Sequence, residues 1–369
     1  MGTERTAVAY AELLDELREL ERSTLAHPSV AGHEQTEVEA YKWILSVTQV
    51  ALDCFVWADA DRPRFVDIVG PYKKWGGDNP DAFYQYAPID PTRSYRVTGR
   101  IGDAVYLSLS VYGGPDNGDW SDRIVGIIND RDLSLGDDGS FEMWLSPDPP
   151  ADRAIAWIRL EPDAVCAVTR DYLADHHTGA RASFRIEAVD APGEHPTWRE
   201  DDERLAVGLA NALRFIRGQR SIAPLDPGEP NTVDPPYPVP TATFGWAAGD
   251  AAYAMGTYEL DDGQALVLRG TSPPCAFWNL CLWNPFLHVY NYDYDRVSIN
   301  GEQAVYEPDG SWTIVVAARD PGHPNWVSTQ GHRAGRLWFR WFFPDATPDA
   351  IEVEVMAVED VRAATGGGT

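Results

Sequence analysis

The reading of the fold rests on Ala276 to Asp345, which runs AFWNLCLWNPF (276–286), YDYDRVSINGE (292–302), EPDGSWTIVVAARDPGHPNW (307–326) and GRLWFRWFFPD (335–345). Trp278, Leu280 and Leu282 alternate with Phe277, Asn279, Cys281 and Trp283, the period of two that marks a β-strand. An upstream stretch repeats the pattern, with Val105, Leu107, Leu109 and Val111 set against Tyr106, Ser108, Ser110 and Tyr112. Gly99 matches Gly270, Asp122 matches Asp293, Asn129 matches Asn300, and Asp138-Gly139-Ser140 matches Asp309-Gly310-Ser311, all 171 positions apart. Further on the offset drifts to 169 for Trp157 and Trp326 and to 170 for Arg170 and Arg340, as loop insertions and deletions in a duplicated module would make it. The expected fold is mainly β with accessory α. It has two tandem, internally duplicated, jelly-roll-like β-sandwich modules, because many short strands carry turn signals between them.

Outward from the duplicated core, residues 1–80 read as an N-terminal helical segment and loop and 81–190 as the first module. Residues 191–243 read as a helix with a proline-rich linker, 244–360 as the second module and 361–369 as a flexible tail. One amphipathic helix is expected over Ala7–Leu25 on a Tyr10, Leu13, Leu14, Leu17, Leu20 stripe. A second is expected over Thr36–Ala58, started by a Thr36–Glu39 capping box and striped by Tyr41, Leu45, Thr48, Leu52, Phe55 and Val56. Trp198, Leu205, Leu209, Leu213 and Ile216 describe a third. Phe65–Ala87 reads as a loop-rich connection.

Thirty Lys and Arg against 57 Asp and Glu give a formal charge of −27, which repels a phosphate backbone and argues against nucleic-acid partners. No apolar run is long enough to span a membrane. The four cysteines have no metal-type spacing; on one extended strand Cys275 and Cys281 would lie about 20 Å apart, beyond disulfide reach. All four read as reduced thiols of a cytoplasmic protein. A homo-oligomer is left open.

The segments FWNLCLW, DRVSIN, DGSWTI, PGHPNW and LWFRWFFPD together resemble the bacterial family known as domain of unknown function 1214. Arg296-Val297-Ser298 stands for the family's Arg-Tyr-Ser element, and Arg340 with Pro344 closes the pattern. The N-terminal half is similar in placement, more weakly, to the partner domain of unknown function 1254. The resemblance implies a tandem jelly-roll-like protein and transfers no substrate or catalytic residues.

Two function classes follow. The first is a cofactor-independent enzyme of hydrolase, lyase or isomerase type, acting on a small-molecule or carbohydrate-like substrate in a cleft between the modules. Asp78, Asp81 and Tyr84 would supply acid and base, since neighbouring carboxylates and phenols can divide those roles when their environments differ. Arg96, Phe277, Asn279, Trp283, His288, Asn291 and Arg340 would bind the substrate. The second is a non-catalytic small-molecule or carbohydrate-binding protein that uses its aromatic faces. Each candidate has a plainer alternative: Asn-Pro-Asp makes turns, and aromatics fill sandwich cores. Arg170 and Arg340, repeated inside apolar strands, suit a salt bridge or a clamp on backbone carbonyls, with anchoring of a carboxylate ligand as the alternative. No metal is expected: Asn291, Asp293 and Asp295 would share a face if extended, but Asn291 and Asp295 have no counterparts in the first copy.

Overall fold

The computed structural model describes residues 3–189, 201–239 and 245–365. The chain forms two compact units, neither of them a continuous stretch. Unit 1 comprises Met1–Trp75, Ala82–Ala223 and Ala242–Gly249; unit 2 comprises Gly76–Asp81, Pro224–Thr241 and Asp250–Thr369.

Unit 1 contains helices α1 (Glu4–Leu25) and α2 (Glu34–Ala51), followed by strands β1 (Val66–Val69), β2 (Ala82–Pro88), β3 (Tyr95–Arg100), β4 (Ala104–Gly113), β5 (Arg123–Asn129), β6 (Ser140–Ser146), β7 (Ala156–Arg159), β8 (Ala164–Leu173) and β9 (Ser183–Ala188), and then helix α3 (Asp202–Gln219). Unit 2 contains β10 (Thr232–Val233), β11 (Ala251–Glu259), β12 (Gln264–Gly270), β13 (Phe277–Trp283), β14 (Ser298–Asn300), β15 (Trp312–Ala317), β16 (Trp326–Ser328), β17 (Ala334–Phe342) and β18 (Glu352–Ala357), closed by α4 (Val361–Ala364). In unit 1 the sheets run β1-β2-β8-β4-β5 and β7-β6-β3-β9; in unit 2 they run β10-β11-β17-β13-β14 and β16-β15-β12-β18. Strand for strand the two orders are the same. Even the parallel pair recurs, β6 with β7 and β15 with β16. The duplication read from residue spacing is therefore a duplication of topology.

Each unit is a sandwich because one face of each of its sheets feeds a common core. In unit 2, Trp278, Leu280 and Leu282 of β13 and Leu337, Phe339 and Trp341 of β17 meet Leu266 and Leu268 of β12 and Ile314 and Val316 of β15. In unit 1, Leu107, Leu109 and Val111 of β4 meet Val97 of β3 and Phe141, Met143 and Leu145 of β6. Gly139 and Gly310 take the positive φ, +74° and +86°, that the Asp-Gly turns require. Trp157 and Trp326 donate their indole N–H groups to the equivalent carbonyls of Ser146 and Ala317.

Both faces of β13 are buried along its whole length, and so is most of β4. The outer face of each five-stranded sheet is covered as well. In unit 1 the cover includes Phe215 of α3 and Trp246, whose rings stack with centroids 5.7 Å apart, with Tyr86 of β2 5.1 Å from Trp246.

The helical details also differ from the sequence pattern. Residues 65–87 hold two strands, β1 and β2, with the turn-forming residues confined to the stretch between them. Helix α2 starts at Glu34 after His33, so Thr36 lies inside it and makes no cap; the Glu37 carboxylate instead accepts the Gly32 N–H at 2.9 Å. Its buried stripe is Ala40, Trp43, Ile44, Val47, Val50 and Ala51, leaving Tyr41 and Leu45 exposed, and the chain continues through a π-helical turn at Leu52–Val56. In α1, Tyr10 is exposed and Glu16 buried, because Arg217 and Arg220 neutralise Glu16 at 2.6 and 3.2 Å. Helix α3 is capped by Asp201, whose side chain accepts the Arg204 N–H at 2.8 Å. Trp198 and the last residues of the tail lie outside the described residues. The proline-rich linker contributes a short edge strand, β10, paired to β11.

Candidate functional site

A row of four side chains crosses the outer face of the larger sheet of unit 2. Tyr253 of β11, Arg340 of β17, Asn279 of β13 and Asn300 of β14 lie directly opposite one another in successive ladders. Strand periodicity puts them on one face. The arm Gly76–Asp81, which precedes β2 in the chain but belongs to unit 2, is bonded to this face.

The arm enters through Gly76 and Gly77, both at positive φ, +58° and +89°. A Cβ on Gly77 would stand 2.8 Å from the Trp283 ring, so only glycine allows this approach. Arg340 Nη2 donates to the Gly77 carbonyl at 2.6 Å and Trp283 Nε1 to the Asp78 carbonyl at 3.0 Å. The Arg340 guanidinium lies 5.0 Å from the centre of the Trp283 ring, which stacks on Trp338 with centroids 4.5 Å apart. Of the clamp and ligand-anchor readings of Arg340, these contacts match the clamp.

The arm's side chains then meet the row. Asp78 Oδ1 accepts the Val289 N–H at 2.7 Å. Asp81 accepts Asn279 Nδ2 at 2.8 Å on one oxygen and Asn300 Nδ2 at 3.2 Å on the other. Asn279 Nδ2 also donates to Asn79 Oδ1 at 2.8 Å, and that oxygen accepts the Asp81 N–H at 3.0 Å. Facing a carboxylate, the Asn279 amide must present its nitrogen, which fixes the sense of the Asn79 amide as well. Two buried atoms then make no hydrogen bond, the donor Asn79 Nδ2 and the acceptor Asn279 Oδ1. Such atoms are rare in folded proteins and point to a further partner.

Burial pushes the Cys281 thiol up to about 12; Arg340 opposes the shift and Asp81 and Asp78 reinforce it. Burial also raises the Tyr292 phenol, with Asp78, Asp293 and Asp81 adding to it. Both groups stay protonated near neutral pH, so Cys281 offers no thiolate nucleophile.

Unit 1 has the same frame with different contents. Its row is Tyr84, Arg170, Ser108 and Asn129. Gly245 has the φ of its counterpart Gly76, +58°. Arg170 Nη2 donates to the Trp246 carbonyl at 2.5 Å and the Tyr112 hydroxyl to the Ala247 carbonyl at 2.8 Å, repeating the Arg340–Gly77 and Trp283–Asp78 bonds. Yet Ala247 and Ala248 stand where unit 2 has Asp78 and Asn79, and Ser108 stands for Asn279. The frame folds without those polar side chains.

Of the residues singled out from sequence, Asp78, Asp81, Asn279, Trp283 and Arg340 come together. Phe277 is buried on the same strand, opposite Phe342. His288 is buried next to Val289, its N–H bonded to Asn284 Oδ1 at 3.3 Å. Asn291 lies in an exposed turn, where its side chain accepts the Asp293 N–H; the run to Asp295 is not extended, so the shared face expected of Asn291, Asp293 and Asp295 does not form. Among the described residues no cluster suited to a metal ion occurs. Tyr84 belongs to unit 1, its hydroxyl 2.6 Å from that of Tyr172. Arg96 is also in unit 1, on β3, ion-paired with Glu142 and Glu187 at 2.7 and 3.5 Å. Sequence reasoning gave no site role to Asn79, Cys281 or Asn300. The available signal was the polar alternation Asn279–Cys281, but the arm's docking leaves no mark in local sequence.

The second copy matches a known family. Residues 254–346 fit the model described as "Protein of unknown function (DUF1214)". The DUF1214 segment carries Asn279, Cys281, Trp283, Asn300 and Arg340, while the arm with Asp78, Asn79 and Asp81 lies outside it. Nothing in it bears on the first copy. No curated protein matches the chain. Among solved structures, an uncharacterized protein from Burkholderia cenocepacia is 28% identical, with 95% of this chain and 97% of that one covered at a TM-score of 0.83. The VPA0106 protein from Vibrio parahaemolyticus is 12% identical, with 85% and 98% covered and a TM-score of 0.51, a likeness of fold alone.

Proposed function

We propose that unit 2 is a binding module for a small, neutral, hydroxyl-rich molecule of carbohydrate-like character, held where the arm meets the Asn279 row. The observation that carries this is the buried pair Asn79 Nδ2 and Asn279 Oδ1, one donor and one acceptor without partners, on residues that the first copy replaces by Ala248 and Ser108. A hydroxyl group accepts from one and donates to the other. Asp78 and Asp81 disfavour an anion there and can accept further hydroxyls, and the stacked Trp283–Trp338 pair offers an aromatic face. Entry requires the Gly76–Asp81 arm to lift, since Asn79 and Asn279 are buried. The free state of Cys54, Cys166, Cys275 and Cys281 supports a cytoplasmic setting, and among the described residues no helix is long and apolar enough to cross a membrane. In the same reading the first copy is a divergent relative of the partner domain 1254.

A catalytic reading keeps one supporting observation: Tyr292, a neutral phenol, feels the charges of both Asp78 and Asp81, a grouping that would serve acid–base chemistry without a cofactor. A thermal-shift and tryptophan-fluorescence screen of polyols, monosaccharides and disaccharides tests the binding reading. A saturable response, lost in Asn279→Ser, is expected. Silence toward all of them, or an unchanged response in Asn279→Ser, would overturn it. Turnover of a bound sugar that Asp78→Asn abolishes without loss of binding would favour the enzyme.

A further inference from the structure

We propose that the ligand of unit 2 carries at least two sugar rings, the second stacked on a shelf formed by Tyr237, Tyr253, Trp338 and Trp283. The inference rests on the binding reading of the Asn279 row and narrows what that row would hold. The linker extends the sheet beside β11: Tyr237 stands directly opposite Tyr253, their backbones bonded at 2.9 and 3.3 Å, and Tyr253 stands opposite Arg340. Tyr253 and Tyr237 therefore continue the row past the arginine on the same face. Their rings lie 5.6 Å apart, the Tyr253 ring meets Trp338 edge-on at 6.0 Å, and Trp338 stacks on Trp283 at 4.5 Å. Four rings from four neighbouring segments thus form one unbroken band. Arg340 acts on both of its ends, lying 5.0 Å from the centre of the Trp283 ring and opposing the rise that burial gives the Tyr237 phenol.

Exposure falls along the band, from 37% at Tyr237, through half-buried Tyr253 and Trp338, to 1% at Trp283, whose indole N–H holds the arm. Met255, directly opposite Trp338, is also 37% exposed. The band opens to solvent on the β11 side and ends at the arm that carries Asn79. The shared fold does not require this. In the first copy Tyr86 stands where unit 2 has Met255 and is buried with its ring 5.1 Å from that of Trp246, while Val168 stands where unit 2 has Trp338. Among the described residues unit 2 has no α-helix over that side; α4 packs on the smaller sheet, Val361 lying with Ala265, Val267 and Val315. Trp338 Nε1 is a further buried donor with no hydrogen bond. A pyranose suits such a band, because its C–H-rich face sets partly positive hydrogens against the negative face of an aromatic ring. A flat aromatic ligand would gain the stacking and leave Asn79 Nδ2 and Asn279 Oδ1 without partners.

The test measures, by calorimetric titration of the full chain, the affinities for glucose and galactose and for maltose, cellobiose and lactose. The best disaccharide should bind about tenfold more tightly than its component monosaccharide, the gain expected of one added aromatic stack. Tyr237→Ala and Trp338→Val should each bring that ratio close to one. A ratio near one in the wild type, or a ratio unchanged in both variants when circular dichroism shows them folded, would overturn the inference and leave the Asn279 site standing. A ratio that the shelf variants abolish and Asn279→Ser leaves intact would sustain the shelf and overturn the Asn279 reading. If none of the five sugars binds, both fall.

Discussion

Asn279 occupies in the second copy the position that Ser108 fills in the first, each directly across a ladder from the buried arginine of its own sheet. Because the first copy builds the same row and the same carbonyl clamp with a serine there, the fold does not demand the amide. Frame and contents can thus be changed separately, and the predictions below rely on that.

Asn279→Ser should destabilise unit 2 by about 1–3 kcal/mol, because Asp81 Oδ2 and Asn79 Oδ1 each lose a buried donor. Urea unfolding would register this as a lower midpoint with an unchanged slope. A change of slope would mean that the arm had already detached in the folded protein.

Alanine at the two arm glycines should have unequal effects. At Gly76 a Cβ meets nothing within 4 Å and only the positive φ is penalised, on the order of 1 kcal/mol. At Gly77 the same penalty is joined by a clash with Trp283, for about 2–4 kcal/mol in total. Melting temperatures of the two variants give the comparison, and the Gly77 variant should also show altered Trp283 fluorescence.

The thiols should be inert in the native state. Burial raises all four, with Cys275 pushed up to about 11 and Cys281 up to about 12, so little thiolate exists near pH 8. An aromatic disulfide reagent should label the folded chain slowly, Cys275 first because it is the least buried, and all four at once in denaturant.

Asp171 gives unit 1 a pH dependence of known sign. Burial pushes its carboxyl up to about 6, against Arg181 and the Ala182 N–H that donates to it at 3.0 Å. A raised carboxyl favours the protonated fold, so its contribution is complete below the unfolded value of 3.8 and is lost as pH rises through about 6. Asp171→Asn, which keeps the acceptor, should stabilise the protein by up to about 3 kcal/mol near pH 8 and have little effect near pH 4. Thermal unfolding at the two pH values checks this.

The double architecture was legible because turn residues such as Asp138-Gly139 and Asp309-Gly310 obey local rules, and local rules repeat with the sequence. Asp78, Asp81, Asn279, Trp283 and Arg340 were visible too, as polar or aromatic residues out of keeping with their surroundings. Three things were not. The helix stripes were misassigned at Tyr10, Tyr41 and Leu45, since apolar residues on a helix do not say which face finds a neighbour. Tyr84 looked like a partner of Asp81 because they are close in the chain, but the division between the units passes between Asp81 and Ala82. Arg96 looked free to bind until Glu187 came opposite it on β9 and Glu142 came diagonal to it on β6. Long-range register decides such matters, and a single sequence does not encode it in any short window.

The two arms mean that a cut at any one point of the linker gives halves that are both defective. Gly76–Asp81 is inherited with the first half and completes the second unit, while Ala242–Gly249 precedes β11 and completes the first. Either half expressed alone would keep its sandwich core and leave its buried arginine with no carbonyl to hold. Two separate chains of a single-module ancestor could have met the same need only by trading arms, as swapped dimers do. Joining them in tandem would have made that exchange intramolecular and freed each arm to diverge, one toward Asp-Asn and the other toward Ala-Ala.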